Sequence, residues 1–175
     1  MPETNIQIAD YIRAVPDFPK PGILFRDITP LLADSEAFAV SVKALAGPFV
    51  DSGIDFVAAV EARGFIFGAP VAEVLNAGFI PIRKPGKLPY KTESVSYDLE
   101  YGTDTIEVHT DAVKPGSRVL IVDDLLATGG TMAAACDLIK KLGAEIAGIA
   151  FLIELAALKG REKLEGHSIY TVVSY

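Results

Sequence analysis

Much is missing from this sequence, and each absence removes a class of protein. The 175 residues include no tryptophan, two histidines, two methionines and one cysteine, Cys136. A lone thiol cannot close an internal disulfide, and no N-x-[ST] sequon is present. The chain therefore reads as cytoplasmic rather than as a disulfide-stapled secreted protein. Cys136 falls on the apolar side of a helical pattern and reads as a small core residue. No His/Cys cluster has metal-ligand spacing, so no metal site built by the protein alone is expected. No run of about 18 residues is free of charge, so no membrane association through a spanning helix is expected. The opening MPETNIQIAD has neither a basic n-region nor an apolar h-region, so no signal peptide is expected. Cations are outnumbered, 16 Lys and Arg against 23 Asp and Glu, for a net charge of −7. That balance disfavours non-specific nucleic-acid or membrane binding and makes any local basic cluster informative. Repeats, low-complexity segments and linkers are absent too. At this length a single domain, 1–175, is expected.

What is present is organised around Val119 to Thr131, VLIVDDLLATGGT. Val119 to Val122 is all apolar and mostly β-branched, as a strand buried on both faces reads. Asp123 and Asp124 stand at its C-terminal end. Ala127-Thr128-Gly129-Gly130-Thr131 then leads into a helix whose Met132, Cys136, Ile139 and Leu142 share one face, with Gly143 as C-cap. In open α/β sheets, ligands bind beyond the carboxyl ends of the strands. A helix N-terminus favours phosphate, and glycines admit its close approach. The P-loop lysine is missing, and so is the G-x-G-x-x-G dinucleotide pattern. Two acids would repel a polyphosphate but suit the vicinal hydroxyls of a ribose. The stretch thus reads as a sugar-phosphate site, with the 5-phosphate on Ala127, Thr128, Gly129, Gly130 and Thr131 and the ribose on Asp123 and Asp124.

The remaining elements alternate. A first helix is expected over Asn5 to Val15, ended by Pro16, Pro19, Pro21 and Gly22. Ile23 to Ile28 reads as a short edge strand. A helix capped by Asp34 or Ser35 runs to about Val50. Ile54 to Val60 is a buried strand, followed by the charged turn Glu61-Ala62-Arg63-Gly64 and a helix from Phe65 to Asn76, with Phe67, Val71 and Val74 inward. Phe79 to Lys84 is a strand. RKPGKLPYK, residues 83–91, is a Pro/Gly-rich loop with four cations, read as either a solvated loop or an electrostatic clamp for an anion. Val95, Tyr97 and Leu99 alternate, as do Ile106 and Val108, which gives a hairpin turning at Tyr101 to Asp104. Ile146 to Leu155 and Ile169 to Val173 are strands, with a short charged, solvated helix at Ala157 to Leu164 between them. The fold class is α/β, a mostly parallel central sheet flanked by helices.

VLIVDDLLATGGT resembles the phosphoribosyl-diphosphate (PRPP) signature of the type I phosphoribosyltransferases, in the Leu-Leu-Ala version of their adenine-specific branch. The resemblance spans about residues 15 to 165. FPKPGILFRDITPLL resembles the hood over the base in that branch. It implies that Leu24 and Arg26 present backbone groups to adenine while Phe25 packs on the ring, with Leu125 also at the base. It implies that Arg63, in an R-G-F motif, binds diphosphate and that Gly64 admits it closely. R-K-x-G-K-L-P implies that Arg83 and Lys87 contact diphosphate, from the same subunit or its partner. By alternation alone Glu100 is a solvent-facing strand acid; the match of Y-D-L-E-Y-G to S-L-E-Y-G implies instead the general acid/base facing the purine. Glu61-Ala62 departs from the acid-small pair of some members. The implied architecture is an N-terminal helix and hood over 1–33, and a core over 34–175 with a flexible flap at about 84–108.

The activity implied is transfer of the phosphoribosyl group of PRPP to N9 of adenine, giving AMP and diphosphate. Mg2+ is implied as cofactor, held mainly by substrate oxygens, and a homodimer as the assembly. Two alternatives stay open. One is a phosphoribosyltransferase for xanthine, hypoxanthine or orotate, against which Leu-Leu-Ala and the F-R-D segment speak. The other is a non-catalytic PRPP-sensing regulator, against which Glu100 and RKPGK speak.

Overall fold

The computed structural model describes residues 6–98 and 102–175. The chain divides into two compact units, Met1–Ala44 and Leu45–Tyr175.

In the first unit a 3₁₀ turn, Ile8–Tyr11, precedes β1 (Arg13–Pro16), which pairs antiparallel with β2 (Leu24–Asp27). The helix expected over Asn5 to Val15 is thus one 3₁₀ turn followed by a strand; Asn5 itself lies outside the described residues. The reason is local. Pro16 disfavours helical backbone at Val15, and β2 offers the freed groups a ladder. The hairpin is clipped by Arg13, whose Nε and Nη2 donate to Asp27 Oδ2 at 3.0 and 2.8 Å. Helix α1 (Thr29–Ala33) and helix α2 (Ser35–Ala46) follow. Asp34 caps α2 as expected, its Oδ1 accepting from the Glu36 and Ala37 amides at 3.0 and 2.9 Å. The helix stops at Ala46 rather than at Val50, because Gly47-Pro48 tightens its end into the 3₁₀ turn Gly47–Phe49.

The second unit contains β3 (Phe56–Val60), α3 (Arg63–Val74), β4 (Gly78–Ile82), β5 (Thr92–Asp98), β6 (Thr103–His109), β7 (Arg118–Leu126), α4 (Gly130–Lys141), β8 (Glu145–Glu154) and β9 (Ile169–Ser174). Among the described residues the main sheet has the order β4-β3-β7-β8-β9, with every pairing parallel. The α/β architecture read from the sequence is the one observed. Pro81 is tolerated because β4 is an edge strand.

One face of the sheet, carrying Ala58, Val60, Ile121 and Phe151, packs with Met132, Ala135, Cys136 and Ile139 of α4. The β5–β6 hairpin adds Ile106 and Val108 to this core. Cys136 is buried as expected, and burial pushes its thiol up to about 11. The opposite face receives α3. A Cβ at Gly68 would lie 2.6 Å from that of Ala59, so the helix approaches the strand to within backbone distance. Val74, expected inward, is instead 49% exposed at the end of α3.

Three expectations shift. β7 does not end at Val122 but runs on through Asp123 and Asp124 to Leu126, because β8 continues beside it as far as the pair Leu126–Glu154. Thr103 and Asp104 are not turn residues but belong to β6, opposite Asp98 and Tyr97. Residues 157–164 form no regular charged helix. They make two 3₁₀ turns, Ala156–Leu158 and Gly160–Leu164, with Gly160 and Leu164 buried. Lys159 between them adopts a left-handed φ of 53°, which interrupts any helix.

The second turn is anchored by Arg161, whose Nε and Nη2 donate to the two oxygens of Glu154 at 2.7 and 2.8 Å. The guanidinium holds the Glu154 carboxyl below its ordinary range, and burial only partly opposes this. With the folded-state value depressed, the pair contributes fully above the ordinary glutamate range. The contribution fades as pH falls through the folded value. Glu154→Gln is expected to lower stability by about 1.5 kcal/mol at pH 7, discounted because Arg161 is half exposed. Denaturant titrations at pH 7 and below pH ~4 check this: the gap between variant and wild type should close at the lower pH. A gap independent of pH would mean that Glu154 acts by packing alone.

Candidate active site

In the sheet order, β3 connects outward to β4 on one side and β7 to β8 on the other. The order therefore reverses between β3 and β7, where α/β sheets open a crevice. β3 pairs with β7 only as far as Ala59–Val122, while β8 continues beside β7 to Leu126. The last residues of β7 thus have one edge open. A cavity of about 370 Å³ occupies this opening, lined by residues 60–63 and 123–132. Asp123, Asp124, Leu125, Arg63 and the whole stretch Ala127, Thr128, Gly129, Gly130 and Thr131 converge on it.

The cradle at Ala127 to Thr131 depends on two glycines. Gly129, the N-cap residue of α4, sits at φ 80° in the left-handed region and offers no capping side chain. The first amides of α4 are thus not met by a side chain of their own cap, and there is no acid in the first turn. A Cβ at Gly129 would lie 2.4 Å from the Gly160 carbonyl oxygen, and one at Gly160 would lie 2.3 Å from that of Ala127. The Gly160–Leu164 turn therefore backs the cradle directly. Sequence reasoning assigned that segment to a solvated face. The available signal was its position after β8: in a parallel sheet the loops following neighbouring strands gather at one end.

The two acids are not equivalent. Asp124 is buried and its Oδ2 accepts from Arg63 Nε at 2.5 Å. Asp123 Oδ1 accepts from the Asp124 amide at 2.9 Å. Burial, reinforced by the neighbouring Asp124 charge, pushes the Asp123 carboxyl well above the usual carboxylate range. A Cβ on Gly64 would lie 2.8 Å from Asp123 Oδ1, so a side chain there would displace the carboxylate.

Arg83 and Lys87 do not line the cavity. Arg83 is joined to it through Glu61, whose Oε2 accepts from Arg83 Nε and Nη2 at 3.2 and 3.0 Å. Lys87 is exposed, and its carbonyl accepts a long 3.4 Å bond from Arg83 Nη1. Lys84 is paired with Asp104. Asp104 also accepts from Tyr97 Oη at 3.3 Å, and Tyr97 Oη accepts from Thr131 Oγ1 at 3.1 Å. A chain of polar contacts thus runs from Thr131 in the cradle through the hairpin to the basic loop. Tyr97 entered the sequence reading as an alternating apolar position and as the first residue of Y-D-L-E-Y-G; its hydroxyl contacts needed the hairpin register. Glu100 lies outside the described residues.

Leu24, Phe25 and Arg26 belong to β2 in the first unit. The Phe25 ring meets Phe18 edge-on at 5.1 Å, while Leu24 and Phe18 are about half exposed. No three His, Cys, Asp or Glu side chains converge as a metal site among the described residues. Among them too, no helix is long and apolar enough to cross a membrane.

Residues 31–173 match the phosphoribosyl transferase domain family. The chain is 57% identical to the adenine phosphoribosyltransferase of Rhodopirellula baltica, over 99% of its own length and 84% of the relative's. It superposes with a TM-score of 0.93 on the crystal structure of adenine phosphoribosyltransferase from Thermoanaerobacter pseudethanolicus, at 54% identity, covering 96% of this chain and 98% of that one. The Saccharomyces cerevisiae enzyme, complexed with an imino-altritol bisphosphate and adenine, matches at a TM-score of 0.90 and 38% identity, with 94% and 96% covered. With the cavity, the acid pair and the glycine cradle in place, these likenesses settle the lineage: the chain belongs to the phosphoribosyltransferase family, among the adenine phosphoribosyltransferases.

Proposed function

We propose that this protein transfers the 5-phosphoribosyl group of PRPP to N9 of adenine, releasing AMP and diphosphate. The observation that carries the reading is the single cavity wall on which an acid pair adjoins an uncapped, glycine-bounded helix N-terminus. That pairing suits a sugar bearing both vicinal hydroxyls and a phosphate. The Saccharomyces cerevisiae relative, crystallised with adenine, supports the choice of base.

In this reading the 5-phosphate rests on Ala127, Thr128, Gly129, Gly130 and Thr131, and the ribose hydroxyls on Asp123 and Asp124. The C1–oxygen bond breaks as diphosphate leaves, which puts positive charge on the sugar and concentrates negative charge on the leaving group. Arg63, Arg83 and Lys87 are the cations assigned to that leaving group, with Gly64 admitting it closely. The two aspartates lie beside the developing positive charge. N9 then bonds to C1, and the proton it sheds passes to Glu100. Leu24, Phe25 and Arg26 are assigned to adenine by sequence resemblance, together with Leu125 at the cavity wall.

Mg2+ fits a site of this kind, since it takes one or two carboxylates plus substrate phosphates rather than a full protein cage. Diphosphate and ribose oxygens would hold it mainly, with the Asp123–Asp124 pair beside them, and there it would neutralise diphosphate charge. A cytoplasmic homodimer belongs to the same proposal, supported by the family likeness.

Three measurements test this reading. Purified protein with PRPP and Mg2+ is expected to convert adenine in a spectrophotometric assay. Hypoxanthine, xanthine and orotate are expected to react far more slowly; turnover of another base at an equal rate would overturn the specificity, and no turnover would overturn the activity. For the ribose site, Asp124→Asn removes the charge that faces Arg63, whereas Asp123→Asn leaves a neutral group where burial already disfavours charge. PRPP affinity by calorimetry should therefore fall about tenfold or more in the first, roughly 1.4 kcal/mol, and less in the second. Equal, wild-type affinities in both would remove the acids from the site. For the proton, Glu100→Gln should cut kcat about a hundredfold or more with little change in PRPP affinity. A kcat within threefold of wild type would return Glu100 to the surface.

A further inference from the structure

Glu61 is an acid on the wall of a cavity that the proposed function fills with a polyanion, and no role has been given to it. Taken alone it would repel diphosphate. Its contacts explain its presence. Its backbone N–H donates to the Ile82 carbonyl at 3.0 Å, extending the β3–β4 ladder by one bond. Oε1 accepts from the Lys84 amide at 2.5 Å, the residue where the basic loop leaves the sheet. Oε2 accepts from Nε and Nη2 on one edge of the Arg83 guanidinium. On its other side Arg83 exchanges two backbone bonds with Glu107 of β6, at 2.9 and 2.7 Å. Burial pushes the Glu61 carboxyl up, but the Lys84 amide and the Arg83 guanidinium outweigh this and hold it below its ordinary range.

A guanidinium carries five N–H donors in a planar fork. Glu61 takes the Nε–H and one N–H of Nη2. Nη1 reaches the Lys87 carbonyl only at 3.4 Å. The outer edge of the fork therefore keeps donors for a phosphate oxygen while the inner edge is held. An arginine anchored in this way loses less side-chain freedom when it binds than one on a free stem.

We propose that Glu61 is a positioning residue for the reaction: it holds Arg83 and the root of the 83–91 loop in the orientation that receives the diphosphate of PRPP. The proposal rests on the reading of Arg83 as a diphosphate ligand. Because Glu61 acts through Arg83, its removal must matter only while Arg83 is present.

A double-mutant cycle tests this. Binding of diphosphate with Mg2+ is measured by calorimetry on the full chain for wild type, Glu61→Gln, Arg83→Met and the double variant. Glu61→Gln is expected to weaken diphosphate about tenfold while ribose 5-phosphate, which lacks the diphosphate group, binds as before. The double variant is expected to bind diphosphate no more weakly than Arg83→Met alone. Glu61→Asp keeps the charge but is one methylene too short to serve both partners; it should also weaken diphosphate, and it carries the test if Glu61→Gln does not fold. Unchanged or tighter diphosphate binding in the Glu61 variants overturns the proposal, as does full additivity in the cycle. If Arg83→Met binds diphosphate like wild type, the failure lies in the role given to Arg83. If wild type binds no diphosphate, it lies in the proposed function itself.

Discussion

The structure depends on one asymmetry in strand pairing. β7 lies between β3 and β8, but β3 leaves it after Val122 and β8 follows it to Leu126. Backbone groups buried without partners are costly, so a strand end normally stops where its ladder stops. Here one ladder carries β7 onward while the other edge opens. Two acids are thereby placed on rigid strand backbone instead of on a loop. The opening is wide enough for a cavity of about 370 Å³, and the next turn delivers the N-terminus of α4 to the same space. Strand, acids and helix dipole are set by a single pairing choice.

The second constraint is close approach to glycine backbone, by a carboxylate at Gly64 and by carbonyl oxygens at Gly129 and Gly160. Gly64 against Asp123, Gly129 against Gly160 and Gly160 against Ala127 each leave less than 3 Å for a Cβ. A cradle made of main-chain amides is only as precise as what backs it, and the Gly160–Leu164 turn does so here. That turn is itself clipped to β8 by the Arg161–Glu154 pair. A charged run that looks solvated on paper is thus part of the wall behind the glycine cradle.

Charge is arranged in pairs, one of them on the cavity wall. Arg63 rests on Asp124, Arg83 on Glu61 and Lys84 on Asp104. In a protein of net charge −7, each of these cations is thus held beside an acid. Preorganised donors of this kind cost little reorganisation when charge develops in a transition state.

The sequence by itself determined the α/β class, the sites of most strands and helices and the stretch that lines the cavity. These are signals of short range: β-branched runs, a 3.6-residue apolar face, glycines before a helix. The resemblance of the same motifs to known phosphoribosyltransferases added the substrate. Where local signals compete with long-range pairing, the sequence misled. Ile8, Tyr11, Ile12 and Val15 repeat like a helix, yet β2 draws residues 13–16 into a strand. Val119 to Val122 looks like the whole of a strand that β8 in fact prolongs to Leu126. Tertiary structure alone decided which charges meet: that Arg83 binds Glu61 across 22 residues, Arg63 binds Asp124 across 61, and Tyr97 joins Thr131 across 34. It also decided that Gly160 lies behind Gly129. Such contacts form because the loops after parallel strands collect at one end of the sheet. No periodicity along the chain encodes which of them will touch.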